Sequence, residues 1–474
     1  MQESCGVFGI VEKRERQRNF KIHHGLGQVD KAYSDTALKR MGKLAFQIFF
    51  ALKGLQHRGQ DSSGMAVCCN AGIGHNRYST TGGVNKKNIQ PIQGSFRGIP
   101  FALAHNGNLT NTLELKKIVE DCGAVFEEGV SDTRIIVKLI EISIKQDFLE
   151  ALEDSLLKLR GAFSLVILYR DKVIAAKDSF GVRPLCFGEN EQYYAVSSES
   201  CSLDHLNIQL LREVKPGELI IIDRYGIQSK SWILQTKKKI CLFEYIYFAR
   251  PDSVIDGVPV HRARRKMGCY LACEHSPKIL SGQAIVPALD SGLLAALGFR
   301  DCTNILLVYE ALFRAHFTFG RTFIASTQDS REFGVSLKFN PVLFDIENKR
   351  VILIDDSIVR GTTAPRLVKL LKTPKKLMGK IYQGAKEVYM LVTAPPYLYP
   401  CYYGIDTWRY EGELIAGQCK GDIEKVREKI GADYLGYLSL ESTIKAVVES
   451  DLTGKLKPCD FCTACFTGNY PIKS

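Results

Sequence analysis

The stretch from Val351 to Thr363, Val-Ile-Leu-Ile-Asp-Asp-Ser-Ile-Val-Arg-Gly-Thr-Thr, constrains this chain more than any other. Val351 to Ile354 form a short apolar run without alternation, the pattern of a strand buried on both faces of a parallel sheet. Asp355 and Asp356 follow at once, at the carboxyl end of that strand, where open α/β sheets bind ligands. Paired carboxylates there accept hydrogen bonds from sugar hydroxyls or hold a hydrated Mg2+. Arg360, Gly361, Thr362 and Thr363 then form a turn rich in hydroxyls and N–H groups, ahead of the helix-periodic Leu367, Val368, Leu370 and Leu371. A turn of that kind at a helix start cradles phosphate. Acids for a diol beside a phosphate cradle fit a ribose 5-phosphate. Two aspartates alone would read as a solvated loop; it is the whole run that argues for a site.

At 474 residues the chain exceeds what one core usually serves, so two domains are expected. The balance of 63 basic against 51 acidic residues, net +12, suits anionic small molecules. The basic residues are scattered and build no binding arm, which argues against a nucleic-acid partner. Met1 to Phe20 lack an apolar leader and no apolar run reaches membrane length, so a cytoplasmic protein with no membrane contact is expected. Fifteen cysteines in such a chain point to reduced thiols, metal or catalysis rather than a disulfide scaffold.

The Val351–Thr363 run resembles the phosphoribosyl pyrophosphate motif of type I phosphoribosyltransferases. The resemblance implies that Asp355 and Asp356 hold the ribose hydroxyls and Mg2+, and that Arg360 to Thr363 hold the 5′-phosphate. Upstream, Cys5-Gly6-Val7-Phe8-Gly9-Ile10, Gln56-His57-Arg58-Gly59, His75-Asn76-Arg77-Tyr78-Ser79, His105-Asn106-Gly107-Asn108 and Ser131-Asp132-Thr133 resemble motifs of the class II glutamine amidotransferases. Taken alone, Cys5 is equally a small buried hydrophobe. The resemblance implies an N-terminal nucleophile fold, an αββα sandwich of two antiparallel sheets.

It also implies that residues 1–4 are a propeptide and that Cys5, once terminal, is the nucleophile with its own α-amino group as base, so that no catalytic histidine is needed. Asn106 and Gly107 would supply the oxyanion donors, while Arg77 and Asp132 would take the carboxylate and ammonium of glutamine. His57, His75 and His105 read as scaffold, as do Asp178 to Leu185 and Ala195 to Ser200. Two departures stand out. The run matching Leu55 to Val67 normally precedes the run matching Phe20 to Leu44, and here the order is inverted; a strand out of order would have to cross the sheet. Arg134 stands where an acid is usual.

After a polar stretch at Gln235 to Lys239, Cys241-Leu242-Phe243-Glu244-Tyr245-Ile246-Tyr247-Phe248 resembles the segment that opens the transferase half of the amidophosphoribosyltransferases. That resemblance covers nearly the whole chain and divides it into an amidotransferase domain (5–235), a parallel-sheet phosphoribosyltransferase domain (240–450) and a cluster-ligating tail (451–474). By it, Ser291, in a Val286-to-Gly292 turn that carries an insertion, joins Asp355 and Asp356 at Mg2+, and Arg321 belongs to a loop over the substrate. Ala315 to Thr318 replace the cations usual in that loop. Cys462-Thr463-Ala464-Cys465 alone is equally a zinc half-site or a redox pair. In the iron–sulfur type of this family, Cys241, Cys401, Cys462 and Cys465 together hold a [4Fe–4S] cluster.

The function implied is glutamine-dependent conversion of phosphoribosyl pyrophosphate to 5-phosphoribosylamine, the first step of purine synthesis, in a homo-oligomer (dimer or tetramer) inhibited by purine nucleotides. The alternatives are an impaired relative that senses ribose phosphates or nucleotides, and a metal-binding interaction module on a vestigial enzyme scaffold.

Overall fold

The computed structural model describes residues 5–13, 29–78, 86–126, 129–279, 281–308, 311–314 and 339–472. The first half is built on two six-stranded antiparallel sheets. One holds β1 (Gly6–Glu12), β2 (Ser62–Val67), β3 (Ala71–Arg77), β8 (Cys186–Glu189), β9 (Tyr193–Ser197) and β10 (Gln209–Glu213), in the order β10-β8-β9-β1-β3-β2. The other holds β4 (Ile92–Phe96), β5 (Ile99–Leu109), β6 (Gly161–Tyr169), β7 (Lys172–Lys177), β11 (Glu218–Asp223) and β12 (Gly226–Ser231), in the order β12-β11-β7-β6-β5-β4.

Alternation along β1 explains the layering. Val7 and Val11 point to the second sheet, where Val166 and Val173 meet them. Phe8 and Ile10 point the other way, onto Leu44, Ile48 and Leu52 of the helix α1 (Val29–Gly54). All four β1 side chains are buried, and each such burial is worth roughly 1.5 to 3 kcal/mol. Helices α2 (Thr112–Asp121), α3 (Asp132–Glu141) and α4 (Phe148–Lys158) cover the outer face of the second sheet through Leu115, Ile136, Ile140 and Leu152. This is the αββα sandwich.

The inverted segment forces no strand crossing. Its described part, from Val29 onward, is helix, and β3 follows β2 directly across the turn Cys68–Asn70, with Ser62 opposite Arg77 and Val67 opposite Gly72. Phe20 to Gln28 lie outside the described residues, as do Met1 to Ser4, Ser79 and the whole 315–338 stretch, Arg321 included.

In the second half, the strands Ala284–Pro287, Arg350–Asp355, Glu387–Val392 and Tyr434–Tyr437 form one parallel sheet in that order. Val351 to Ile354 are completely buried. The Gln235–Lys239 stretch is docked on the first half, with Lys237 N donating to Ser179 O and Lys239 N to Phe180 O. The tail folds back, so that Phe461–Cys462 pairs in parallel with Ile240–Cys241. The expectation of reduced thiols needs one correction. Cys269, in the helix Val260–Ile279, and Cys302, just past the helix Leu293–Asp301, form a disulfide. A Cβ on Gly268 would stand 1.9 Å from Ala295 O, so these two helices cross almost backbone to backbone and bring the distant cysteines together. Among the described residues, no helix is long and apolar enough to cross a membrane.

Candidate active site

Cys5 sits at the open end of β1, where pairing with β3 places it beside the last residues of that strand. Its thiol donates to Tyr78 O at 3.6 Å. Burial pushes the thiol above its usual range, and the nearby Arg77 guanidinium partly offsets this. Asp132, the first residue of α3, is tied to the end of β5 because Leu109 N donates to its Oδ2 at 3.2 Å. Burial alone would raise its carboxyl, but His105, 3.6 Å from Nδ1 to Oδ2, and the Leu109 and Thr133 N–H groups outweigh that and keep it ionised. Cys5, Arg77 and Asp132 thus lie within electrostatic reach of one another.

Asn106 and Gly107 belong to β5, paired with Ser164 and Phe163 of β6. The Asn106 Nδ2 is buried without a hydrogen-bond partner among the described residues. A buried donor left unpaired costs about 1 to 3 kcal/mol, a cost that makes sense where a ligand atom is to arrive. Gly107 has φ +146°, and a Cβ there would lie 2.0 Å from Ala162 O. The three histidines are wired to other protein groups: His75 Nε2 to His105 O at 3.0 Å, His57 Nε2 to Glu199 at 2.7 Å, and His105 to Asp132. Burial lowers His75 to about 3, so it stays neutral. Arg134 donates to Lys87 O at 2.8 Å, an exposed contact.

Sequence reasoning missed the charges beneath this site. Arg58 donates through Nε to Cys5 O at 2.9 Å and pairs with Glu199 and with Glu244 at 2.8 Å; Arg183 pairs with the same Glu244 at 3.0 Å. All four side chains are fully buried. Glu244 opens the second half, so one carboxylate locks two first-half guanidiniums. The signal was present as charges embedded in apolar runs, Phe243-Glu244-Tyr245 and Val182-Arg183-Pro184, which fold only if paired. Glu244→Gln leaves two buried guanidiniums short of charge, and a loss of about 3 to 5 kcal/mol is expected, read as a lower denaturant midpoint.

The second group forms at the carboxyl end of Arg350–Asp355. Asp355 and Asp356 are both buried, with Asp356 N donating to Asp355 Oδ1 at 2.9 Å. Burial first, and then the neighbouring Asp356 charge, push the Asp355 carboxyl well above the usual carboxylate range. The inserted 286–292 turn still delivers Ser291, whose Oγ is 3.5 Å from Asp355 Oδ1. Thr363 caps the helix Ala364–Lys372, with Leu367, Val368 and Leu371 buried, so Gly361 to Thr363 lie at a helix N-terminus. Arg360 reaches Glu413 at 3.8 Å.

The four tail-related thiols also converge. Cys241, Cys401, Cys462 and Cys465 are all buried, Cys241 and Cys462 are register partners, and Cys401 lies within electrostatic reach of Cys241, Cys462 and Cys465. Burial pushes Cys241 up to about 12. No three His, Cys, Asp or Glu groups among the described residues converge as ligands of one ion. A cubane offers a separate iron to each thiolate, so its ligands need not share a point.

Residues 36–233 match the glutamine amidotransferase domain family. Over the full chain, the amidophosphoribosyltransferase of Bacillus subtilis is 38% identical, with 100% of this chain and 95% of that protein covered. The chain belongs to the amidophosphoribosyltransferase family. The amidophosphoribosyltransferase of Methanocaldococcus jannaschii is also 38% identical, over 91% of this chain and 95% of its own. The solved glutamine phosphoribosylpyrophosphate amidotransferase from B. subtilis, complexed with ADP and GMP, superposes with a TM-score of 0.81 at 34% identity, covering 99% and 98% of the two chains. As an amidophosphoribosyltransferase, the chain is a glutamine-dependent pentosyltransferase of purine biosynthesis, and the sensor and interaction-module readings are set aside.

Proposed function

We propose that the two residue groups are the two half-sites of the amidophosphoribosyltransferase reaction. The observation that carries this is the buried, unpartnered Asn106 Nδ2 on the strand tied to Asp132, in the same chain as the buried Asp355–Asp356 pair. After removal of residues 1–4, the Cys5 amine takes the thiol proton and Sγ attacks the glutamine amide carbon. Asn106 and Gly107 N–H stabilise the oxyanion. Ammonia leaves as the thioester forms, and water then releases glutamate. Arg77 and Asp132 bind the amino-acid end, and their opposite charges suit carboxylate and ammonium. The two domains, 5–235 and 240–450, each carry one half-site.

At the second half-site, ammonia attacks C1 of the ribose and pyrophosphate leaves. Asp355 and Asp356 orient the sugar hydroxyls, while Arg360 and the Gly361 to Thr363 N–H groups and hydroxyls hold the 5′-phosphate, with Arg321 binding the substrate from the loop over it. Ser291, Asp355 and Asp356 would hold Mg2+, which supplies charge neutralisation for the departing pyrophosphate. Cys241, Cys401, Cys462 and Cys465 would hold a [4Fe–4S] cluster, a structural tie for the tail 451–474. Its expected signatures are about four irons per chain, and loss of iron and of thermal stability together in Cys465→Ala.

Purine nucleotides are proposed as feedback ligands, supported by the ADP and GMP bound to the B. subtilis structure. A cytoplasmic homo-oligomer, dimer or tetramer, is proposed from the family resemblance. The deciding assay supplies glutamine or ammonium with phosphoribosyl pyrophosphate and Mg2+ under anaerobic conditions, and product must form with both. Asn106→Ala should lower glutamine-dependent turnover by about 10² to 10³ without changing the ammonium rate; an unchanged glutamine rate would remove the oxyanion role.

A further inference from the structure

We propose that Gly404, in the Tyr402–Gly404 loop of the transferase half, is a positioning residue for the oxyanion site of the glutaminase half. This rests on the assignment of Asn106 and Gly107 as oxyanion donors. Gly107 is held from two sides. On one side a Cβ at Gly107 would run into Ala162 O at 2.0 Å. On the other, a Cβ at Gly404 would stand 3.1 Å from Gly107 Cα, 3.2 Å from its carbonyl carbon and 3.2 Å from Arg183 Nε. Gly404 has φ +105°, a conformation that other residues rarely adopt. Two residues without side chains, from opposite halves of the chain, therefore meet backbone to backbone where one oxyanion N–H is set.

The loop is stitched to the glutaminase half on both flanks. Asn108 Nδ2 donates to Tyr402 O at 3.0 Å, and Arg183 Nε donates to Tyr403 O at 2.8 Å. The Arg183 carbonyl accepts from Ser164 Oγ at 3.1 Å, and Ser164 is the register partner of Asn106. The far side of the loop is anchored in the second half, with Cys401 N donating to Thr407 Oγ1 at 2.8 Å and Tyr403 OH to Ile472 O at 2.8 Å. Docking of the transferase half thus presses on the strand that binds the oxyanion. Glutamine hydrolysis depends on this contact, and ammonium-driven transfer does not.

The test uses the full-length enzyme with Gly404→Ala, Asn108→Ala and Asn106→Ala. Gly404→Ala is expected to lower kcat for glutamine about 10- to 100-fold while KM for glutamine and the ammonium rate stay within about threefold. Glutamate γ-semialdehyde, whose aldehyde carbon adds the Cys5 thiol to give a tetrahedral hemithioacetal, should lose affinity in step with kcat, and inhibition by glutamate should not change. Asn108→Ala, which removes one donor from a partly exposed side chain, should show the same one-sided loss at about 3- to 10-fold, and it decides the matter if Gly404→Ala does not fold. Equal loss of both nitrogen sources, or aldehyde affinity that stays at the parent value, overturns the proposal. If Asn106→Ala is itself silent, the oxyanion assignment fails first, whatever Gly404 does.

Discussion

Cys5→Ala is expected to lower glutamine-dependent product formation by at least about 10³-fold, while transfer from ammonium continues at close to the parent rate. The reason for the split is topological. Cys5 stands immediately before β1 of the first antiparallel sheet, whereas Asp355 and Asp356 stand at the end of a strand of the parallel sheet in the second half. The substitution removes only a thiol that donates to Tyr78 O, and the β1 core residues Val7, Phe8, Ile10 and Val11 remain. The measurement is paired turnover with the two nitrogen sources, together with glutamate release. Ammonium transfer that disappears with glutamine turnover would mean that the two groups are not separable half-sites.

Asp356→Asn is expected to give the complementary result, loss of transfer from both nitrogen sources by about 10²- to 10³-fold, the equivalent of roughly 3 to 4 kcal/mol. Asp355 and Asp356 are buried at a strand end, and the Asp355 carboxyl is raised first by burial and then by the neighbouring Asp356 charge. A bound cation would offset both, and sugar hydroxyls would donate hydrogen bonds to the carboxylates. Removing one carboxylate removes part of the binding site and leaves the sheet intact, since Ile354 and its neighbours are untouched. Calorimetric titration with phosphoribosyl pyrophosphate, with and without Mg2+, is expected to show the loss of affinity and its dependence on the metal, while thiol alkylation at Cys5 proceeds as in the parent. Parent-like affinity in Asp356→Asn would move the sugar-phosphate site elsewhere.

The group proposed at Asp355, Asp356, Thr362 and Thr363 is readable from the sequence because its parts are local. A strand, two adjacent acids and a helix-opening turn occupy one continuous stretch, and each part has its own composition signal. Ser291 was legible only through resemblance, yet the parallel pairing of Ala284–Pro287 with Val351–Ile354 carries its turn to Asp355 despite the insertion. The inverted order of segments near the N-terminus looked like a topological problem because strand identity was inferred from matching runs. In the fold the segment from Val29 is a helix, and a three-residue turn closes β2 onto β3.

By itself the sequence determined what depends on near neighbours: the buried strand at Val351, the acids that end it, the helix-opening turn at Arg360 to Thr363, and the likeness of two separate halves to two kinds of catalyst. Only the tertiary structure decided what depends on distant partners. It joined Arg58, Glu199, Glu244 and Arg183 into one buried charge cluster, set Gly404 against Gly107, and crossed two helices so that Cys269 meets Cys302. Burial and pairing arise from residues far apart in the chain, and a charge in an apolar run reveals that it must be paired without revealing with what.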